Sequence, residues 1–371
     1  MWNQQYYAPD LPDLQLSYAE GDAITIQVAT LQGDILATVN EQYAPAADGT
    51  ITIRRLADVA MAYIKPYDIG AGIPQLSSFT PAVNLTVTVT HDDTTTTTYT
   101  TTIYYATIRT STAASPLTPS QHNGFLTTYT DRTINPAVPV IISYRSQLSA
   151  SILVTYAQDG SLRSERLQLL SGSQAITVHC LSLAEIAAML NQATGGASVS
   201  PENIHHIRAE LSSQDAVTDT IDFHIDHLHN RQATAFLFTN CFGCPEAEVL
   251  TGNDHLTTSL DAELAYIDGK YRRAWEELED IHKVSTGHIT RQQYQSIRQL
   301  AQSPRTLILQ ADGSTEEATI TAIDLSDTTP RSSTVSAIIT YRIANRIQPV
   351  LNRPLQPPVN VFDTTFDPSF Q

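Results

Sequence analysis

The residues best suited to bind a metal are two cysteines and two histidines in the middle of the chain. Cys241 and Cys244 form a C-x-x-C pair, and His227 and His229 precede it. Two thiolates at this spacing, together with imidazoles, can complete the tetrahedral shell of zinc. No second C-x-x-C pair is present, and no histidine pair follows the cysteines at zinc-finger spacing. These four residues are therefore weak candidates for a metal site, and we expect no cofactor.

The same cysteines fit two other interpretations. A C-x-x-C pair can be redox-active because its cysteines often have a lowered pKa. Such a motif usually begins a helix, whereas Pro245 and Glu246 follow here. Small buried cysteines, in a segment that runs from a strand into a turn, fit this sequence better. The chain has three cysteines, and an odd number favours reduced thiols over a disulfide framework.

Motifs that carry a catalytic nucleophile or bind a phosphate are absent from the sequence. It contains no G-x-S-x-G, no H-E-x-x-H and no G-x-x-x-x-G-K-[ST]. We therefore expect a protein without enzymatic activity, and a zinc-dependent enzyme centred on the histidines and cysteines is the least favoured alternative.

Both ends of the chain carry aromatic residues in proline-containing segments. Bulky aromatic side chains are common anchors at the centres of protein interfaces. They could clamp a neighbouring subunit, or they could fold back onto their own domain. The candidate interface residues are Trp2, Tyr6, Tyr7, Phe362, Phe366 and Phe370.

Composition and charge exclude two classes of partner. With 38 acidic and 21 basic residues, the chain has a formal charge of −17 and no dense basic patch, so we expect no binding to nucleic acid. No run approaches the roughly 20 apolar residues that cross a bilayer, so we expect no membrane partner. The N-terminal segment lacks the pattern of a signal peptide, which predicts synthesis in the cytoplasm without export.

The fold class predicted from composition and patterning is mainly β, of the α+β kind. Charged residues are only 16% of the chain, and threonine and tyrosine, which favour strands, are abundant. We expect two or three β-sandwich-like units, each with a short helix, and extended N- and C-terminal arms. The predicted units are residues 1–135, 136–235 and 236–348, followed by an arm over 349–371.

Apolar spacing predicts the short helices over Leu56–Ile64, Ser182–Leu190 and Thr290–Ala301. Ser182 and Glu185 have capping-box spacing, and Thr290 is a candidate cap. The sequence of residues 271–283 is compatible with either a helix or a strand. Ala274, Leu278 and Ile281 lie at helical spacing and local propensity favours a helix, but a long strand leading to Gly287 is the alternative.

Two stretches of the last third resemble a known class of proteins. One runs over Phe236–Glu246 and on to Leu250–Gly252. The other runs from Gly287 through a helix and the Ser-Pro stop at Pro304, and it closes with Tyr341–Ala344. These stretches resemble tail or baseplate-type virion proteins of phages and prophages from gut anaerobes. A cysteine at position 244 departs from that pattern.

This resemblance implies a non-catalytic structural component of a bacteriophage virion, made in the host cytoplasm. Its partners would be other virion proteins and copies of itself, as a homo-oligomer. The resemblance also implies that residues 271–283 form a strand, and it assigns no active residues. The alternative function is a binding module, either an adhesin or a carbohydrate-binding β-sandwich protein.

Overall fold

A computed structural model describes residues 4–20, 22–43, 47–71, 76–91, 95–109, 118–172, 174–195, 198–213, 216–227, 233–267, 270–310, 313–326 and 334–343. Within them, no helix is both long enough and apolar enough to span a bilayer.

Strands make up most of this described chain. The first nine are β1 (Gln5–Tyr7), β2 (Leu14–Ser17), β3 (Ala23–Ala29), β4 (Ile35–Glu41), β5 (Thr50–Ile53), β6 (Leu76–Phe79), β7 (Ala82–Thr90), β8 (Thr96–Tyr104) and β9 (Asp131–Ile134). The next six are β10 (Val140–Arg145), β11 (Ser149–Gln158), β12 (Ser161–Gln168), β13 (Ile176–Leu181), β14 (Ile204–Ser213) and β15 (Ala216–Ile225). The C-terminal ones are β16 (Thr234–Thr239), β17 (Pro245–Leu250), β18 (Asp254–Ile267), β19 (Lys270–Ser285), β20 (Ile289–Thr290), β21 (Thr306–Leu309), β22 (Thr315–Ser326) and β23 (Thr334–Ile343).

The helices are few and short. They are α1 (Leu56–Met61), α2 (Leu183–Ala193) and α3 (Arg291–Gln302), with single 3-10 turns at Ala8–Asp10, Ile69–Ala71, Pro119–Gln121 and Pro201–Asn203. The predicted capping box of α2 is confirmed, because the Ser182 hydroxyl accepts from the Glu185 N–H while the Glu185 carboxylate accepts from the Ser182 N–H. Thr290 caps α3 as predicted, its hydroxyl accepting from the Gln293 N–H.

The N-terminal sheet has the order β1-β8-β7-β3-β4 and packs on the small β2-β5 sheet and α1. In β3 and β7, buried apolar residues alternate with polar ones, as in a sheet with one face in the core. The buried positions are Ile24, Ile26 and Val28 in β3, with Val83, Leu85, Val87 and Val89 in β7.

Two further sheets enclose the largest core. The order β10-β13-β6 faces the order β12-β11-β14-β15-β9, and α2 adds Ile186 and Leu190 to the space between them. This cluster includes residues of all three predicted units, among them Tyr7, Ile152 and Leu307.

The C-terminal sheet has the order β17-β16-β21-β22-β23-β19-β18, with β20 on β23. Helix α3 packs on it through Ile297 and Leu300. The predicted fold class, mainly β with sandwich-like units and few short helices, is confirmed. The unit boundaries at 135, 235 and 348 stay predictions, and the C-terminal arm lies outside the described residues.

Residues 271–283 are strand, so the helix that local propensity favours there is wrong and the alternative is right. They lie within β19, which pairs antiparallel with β18 along its length. Pairing with β18 over this length supplies ladder hydrogen bonds, and this long-range pairing outweighs the weak local preference for helix.

A buried polar network fastens β9 to β17 and α3. The Arg132 guanidinium forms an ion pair with Glu246 and donates to the carbonyl of Ala247 (2.9 Å). Glu248, also buried, accepts from the Gln293 amide and the Ser296 hydroxyl of α3, both at 2.8 Å. The guanidinium of Arg132 is therefore ion-paired with one buried carboxylate, that of Glu246, and its charge also acts on the second, that of Glu248.

Burial raises the pKa of Glu248 to about 7, and nearby Glu246 adds to the shift. Arg132, Gln293 and Ser296 act in the opposite direction without cancelling it. The folded chain thus holds a proton on Glu248 between its ordinary pKa near 4.5 and pH 7, where the unfolded chain has lost it. Stability from this group is complete below that window, declines as pH rises through it, and is lost above pH 7.

Replacing Glu248→Gln is expected to remove this pH dependence, because the amide stays neutral. At pH 8 the variant should be more stable than the parent by up to about 3 kcal/mol, and near pH 5 the two should be alike. Urea unfolding at both pH values measures the difference. Glu202→Gln, at an exposed carboxylate, is the matched control, and an equal effect at both pH values in E248Q would contradict the assignment.

Candidate functional site

The C-x-x-C pair lies in the tight turn between β16 and β17. The Asn240 side-chain oxygen accepts from the N–H groups of Phe242 (2.9 Å) and Cys244 (3.1 Å). Gly243 has a φ of +74°, and a Cβ there would come within 2.8 Å of the Tyr105 ring. The sequence Asn-Cys-Phe-Gly-Cys thus forms a closely packed turn, as the buried-cysteine interpretation predicts.

The described structure does not bring the metal candidates together. Cys241 and Cys244 are both buried, and burial raises the pKa of each thiol, which disfavours the thiolate that metals and nucleophilic chemistry need. The His227 ring donates from Nε2 to the carbonyl of Ile204 (2.7 Å). His229 lies outside the described residues, within which no three His, Cys, Asp or Glu side chains gather to hold a metal ion.

Of the candidate interface aromatics, Tyr6 and Tyr7 are buried in β1, against their own chain. The Tyr7 hydroxyl hydrogen-bonds His122 Nδ1 at 2.8 Å, and its ring meets Phe242 edge to face. For these two tyrosines the structure shows the folded-back alternative. Their role between subunits, like that of the other four, stays a prediction; the four, Trp2, Phe362, Phe366 and Phe370, lie outside the described residues.

A cleft of about 630 Å³ opens beside the C-terminal sheet. It lies where the loop after β9 meets the start of β16, the end of β21 and the paired strands β19 and β23. Its volume is within the range of small-ligand pockets, and alanine, valine, leucine and isoleucine side chains form much of its wall. The polar lining residues are Asn135, Thr234, Asp254, His282, Gln310 and Tyr341.

Asp254, His282 and Tyr341 form a fixed polar cluster on one side of the cleft. His282 and Tyr341 are opposite each other in the β19–β23 ladder, and their rings stack at 4.7 Å. The Tyr341 hydroxyl donates to Asp254 Oδ2 (2.6 Å), and His282 Nδ1 donates to the same oxygen (3.1 Å). Burial and the adjacent carboxylate raise the pKa of Tyr341, so the phenol remains a donor. Two donors thus hold the carboxylate in one orientation.

The lining selects ligands by charge. It contains an aspartate but, among the described residues, no lysine or arginine, so an anionic ligand would meet repulsion without compensation. Hydroxyl groups suit the carboxylate, which accepts hydrogen bonds. Asn135 already uses its side-chain oxygen to accept from the Ala137 N–H (3.0 Å), which leaves its amide nitrogen as the group to offer a ligand.

The described lining holds one aliphatic hydroxyl, that of Thr234, and no hydrogen bond joins it to His282. A hydroxyl nucleophile needs a base within hydrogen-bond reach, so this threonine is not activated as one.

Sequence reasoning missed this cluster. Its members are far apart in the chain, and the helix favoured for residues 271–283 concealed the pairing of His282. Assigning that segment to a strand beside β23 was the one signal that could have brought His282 and Tyr341 together.

Comparisons with known proteins leave the family open. No family profile and no characterised protein matches the sequence. Among solved structures, one similar chain is SGBP-B of the Bacteroides ovatus mixed-linkage glucan utilization locus, in complex with a mixed-linkage heptasaccharide. It shares 11% identity over 74% of this chain, at a TM-score of 0.14, and this chain spans 64% of its length. Another is a Ca²⁺-stabilized adhesin with which an Antarctic bacterium binds ice, at 12% identity over 85% of this chain and 70% of that one, with a TM-score of 0.14. Neither ligand is carried over to this chain.

The three cysteines are expected to be unreactive in the folded protein, because burial raises the pKa of Cys180 to about 12 and those of Cys241 and Cys244 too. Alkylation followed by mass spectrometry should be at least about tenfold slower in native buffer than in urea. A Leu162→Cys variant provides an exposed control thiol. Stoichiometric zinc that protects Cys241 and Cys244 would restore the metal hypothesis.

Proposed function

We propose that this protein is a non-enzymatic binding module that holds a neutral carbohydrate in the cleft. The observation that carries the proposal is the Asp254 carboxylate, fixed by His282 and Tyr341 within a pocket of about 630 Å³.

The chemistry of a sugar matches both kinds of surface in this cleft. Its hydroxyl groups donate to a carboxylate and accept from amides, here Asp254, Asn135 and Gln310. Its C–H faces pack on apolar walls, here residues such as Val138 and Ile308. The orientation of Asp254 is set before the ligand arrives, which lowers the entropic cost of binding.

The overall charge supports a neutral ligand over an anionic one. The chain carries −17, and the carboxylate inside the cleft adds local repulsion against uronic acids or sulfated sugars. A glycan without charge meets no electrostatic repulsion as it approaches the cleft.

A panel of soluble neutral and anionic oligosaccharides, titrated by calorimetry, tests the proposal. At least one neutral glycan is expected to bind and to be recovered uncleaved, whereas the anionic ones should not bind. Asp254→Asn and Gln310→Ala should each weaken binding about tenfold, as expected for the loss of one hydrogen bond to a charged or polar group.

Gln174→Ala is the matched control, because Gln174 lines a separate cleft of about 660 Å³. It should leave affinity unchanged. Cleavage of the glycan would show an enzyme, and equal losses in Q174A and D254N would place the ligand elsewhere.

A second candidate is a structural component of a virion, as the resemblance in the last third implies. The specific observation in its favour is the length of β18 and β19, with β18 at the end of the sheet order, since an edge strand can pair with another chain. On this proposal the protein is made in the host cytoplasm and assembles with virion proteins and copies of itself.

Electron microscopy of the concentrated purified protein tests this candidate. Rings or tubes of uniform diameter are the expected outcome, because head-to-tail contacts between subunits either close into a ring or continue into a filament. A homogeneous field of single particles that also binds a neutral glycan would favour the binding module.

A further inference from the structure

We propose that the N-terminal sheet borders a second binding site, which takes an amphipathic monocarboxylate. The apolar body of this ligand packs on Leu31 and Leu36, and its carboxylate pairs with Lys65. The site is the cleft of about 660 Å³ that Gln174 also lines. This inference is independent of the cleft at Asp254 and of the ligand proposed for that cleft.

Four separate segments of the chain meet at this second cleft. They are the turn between β3 and β4, the end of α1 with the residues after it, the connection from β6 into β7, and the residue just before β13. The volume of the cleft lies within the range of small-ligand pockets, roughly 300–1,000 Å³. Because segments from residue 30 to residue 174 form one lining, only the tertiary fold creates the site.

The backbone that carries Lys65 is fixed on both sides. Ile64, the residue before it, is buried in the N-terminal core. Pro66 follows and restricts Lys65 to extended backbone. The Tyr67 N–H then donates to the carbonyl of Gly243 at 2.9 Å. The lysine side chain therefore starts from a fixed point beside the cleft.

Lys65 is the one charged residue in the lining, and it has no acidic partner among the described residues. The nearest acids on either side of it in sequence are paired elsewhere, Asp58 with Arg55 (2.6 Å) and Asp68 with Arg305 (3.2 Å). An ammonium group with no counter-charge attracts a carboxylate. The total charge of −17 opposes this attraction only weakly, because salt screens charges beyond about 8 Å at physiological ionic strength.

The turn between β3 and β4 fixes the apolar wall. The Thr30 N–H donates to the Asp34 carbonyl (2.8 Å), and the Gly33 N–H donates to the Thr30 carbonyl (3.0 Å). Gly33 has a φ of +98°, in the left-handed region that favours glycine. The Asp34 carboxylate accepts from the Thr30 hydroxyl and is not part of the lining. This closed turn holds Leu31 and Leu36 in the wall of the cleft.

Three large side chains with apolar surface are exposed in the same lining. Leu31 is 38% exposed, Leu36 is 42% exposed and Tyr63 is 39% exposed. Single exposed apolar residues are common, but several in one concave site indicate a binding surface. The Tyr63 hydroxyl has no hydrogen-bond partner within the described chain, so it can donate to a carboxylate next to Lys65.

An amphipathic monocarboxylate is the class of ligand that satisfies both features of the lining. A cationic ligand would be repelled by Lys65, and a purely polar anion would leave the apolar side chains in water. The cleft at Asp254 has a carboxylate where this one has an ammonium. The two clefts therefore select ligands of different chemistry.

Ligand-observed NMR titration with octanoate tests the proposal, and 1-octanol and octylammonium serve as probes with the same apolar body. Octanoate is expected to bind at least about tenfold more tightly than either of them, because it alone pairs with an ammonium. Its affinity should fall as salt is added. From hexanoate to octanoate, affinity should rise by up to about fourfold for each methylene buried.

Two variants separate the charge from the apolar wall. Lys65→Gln keeps most of the side chain and removes its charge, so octanoate affinity should fall about tenfold while octanol affinity stays unchanged. Leu36→Asn should weaken octanoate and octanol to the same degree, because both have the same apolar body.

Lys283→Gln is the matched control, since it makes the same charge change at an exposed lysine of the C-terminal sheet. It should leave octanoate affinity unchanged. All three substituted side chains are exposed, so the variants should unfold at the same urea concentration as the parent. A parent protein that does not bind octanoate, or binds it no better than octanol, overturns the proposal, as does an equal loss of octanoate affinity in K65Q and K283Q.

Discussion

The buried guanidinium of Arg132 is the contact on which the C-terminal half of the structure depends. It joins β9, which belongs to the central sheets, to Glu246 and Ala247 of β17 in the C-terminal sheet. The cost of burying such charges is large, and it is offset only while both partners and their hydrogen bonds remain in place. Asn240 and Thr127 complete the shell of Glu246, with the Asn240 amide at 2.6 Å and the Thr127 hydroxyl at 3.2 Å. Because β9 is held in this way, the loop that follows it, including Asn135, is fixed beside β16 and becomes one wall of the cleft.

The polar cluster of the cleft and the β18–β19 hairpin depend on the same strand pairing. Asp254 is the first residue of β18, and His282 marks the point where β19 enters the ladder with β23. The same pairing therefore sets the polar cluster in the cleft and attaches the β18–β19 hairpin to the C-terminal sheet.

Local patterns predicted much of the fold because their causes are local. The alternation in β3 and β7 requires only that one face of a sheet be buried, and the Ser182–Glu185 capping box requires only neighbouring backbone groups. Residues 271–283 are the instructive exception. Their apolar spacing and helix-forming residues favour a helix, yet pairing with β18 and β23 supplies hydrogen bonds that a local rule does not count. Among the described metal candidates, closeness in sequence to the C-x-x-C pair did not bring His227 into a metal-binding group with it, and the His227 ring bonds the carbonyl of Ile204 instead.

Composition, charge and residue patterning by themselves determined a β-rich chain with short capped helices, an acidic character that disfavours nucleic acid, and no nucleophile motif of recognised spacing. Only the tertiary structure decided which distant residues meet. Asp254, His282 and Tyr341 come together because three strands align in one register, and Glu248 titrates near neutrality because folding removes it from water beside a single guanidinium. Such properties arise from strand pairing and burial, which depend on contacts between residues far apart in the chain.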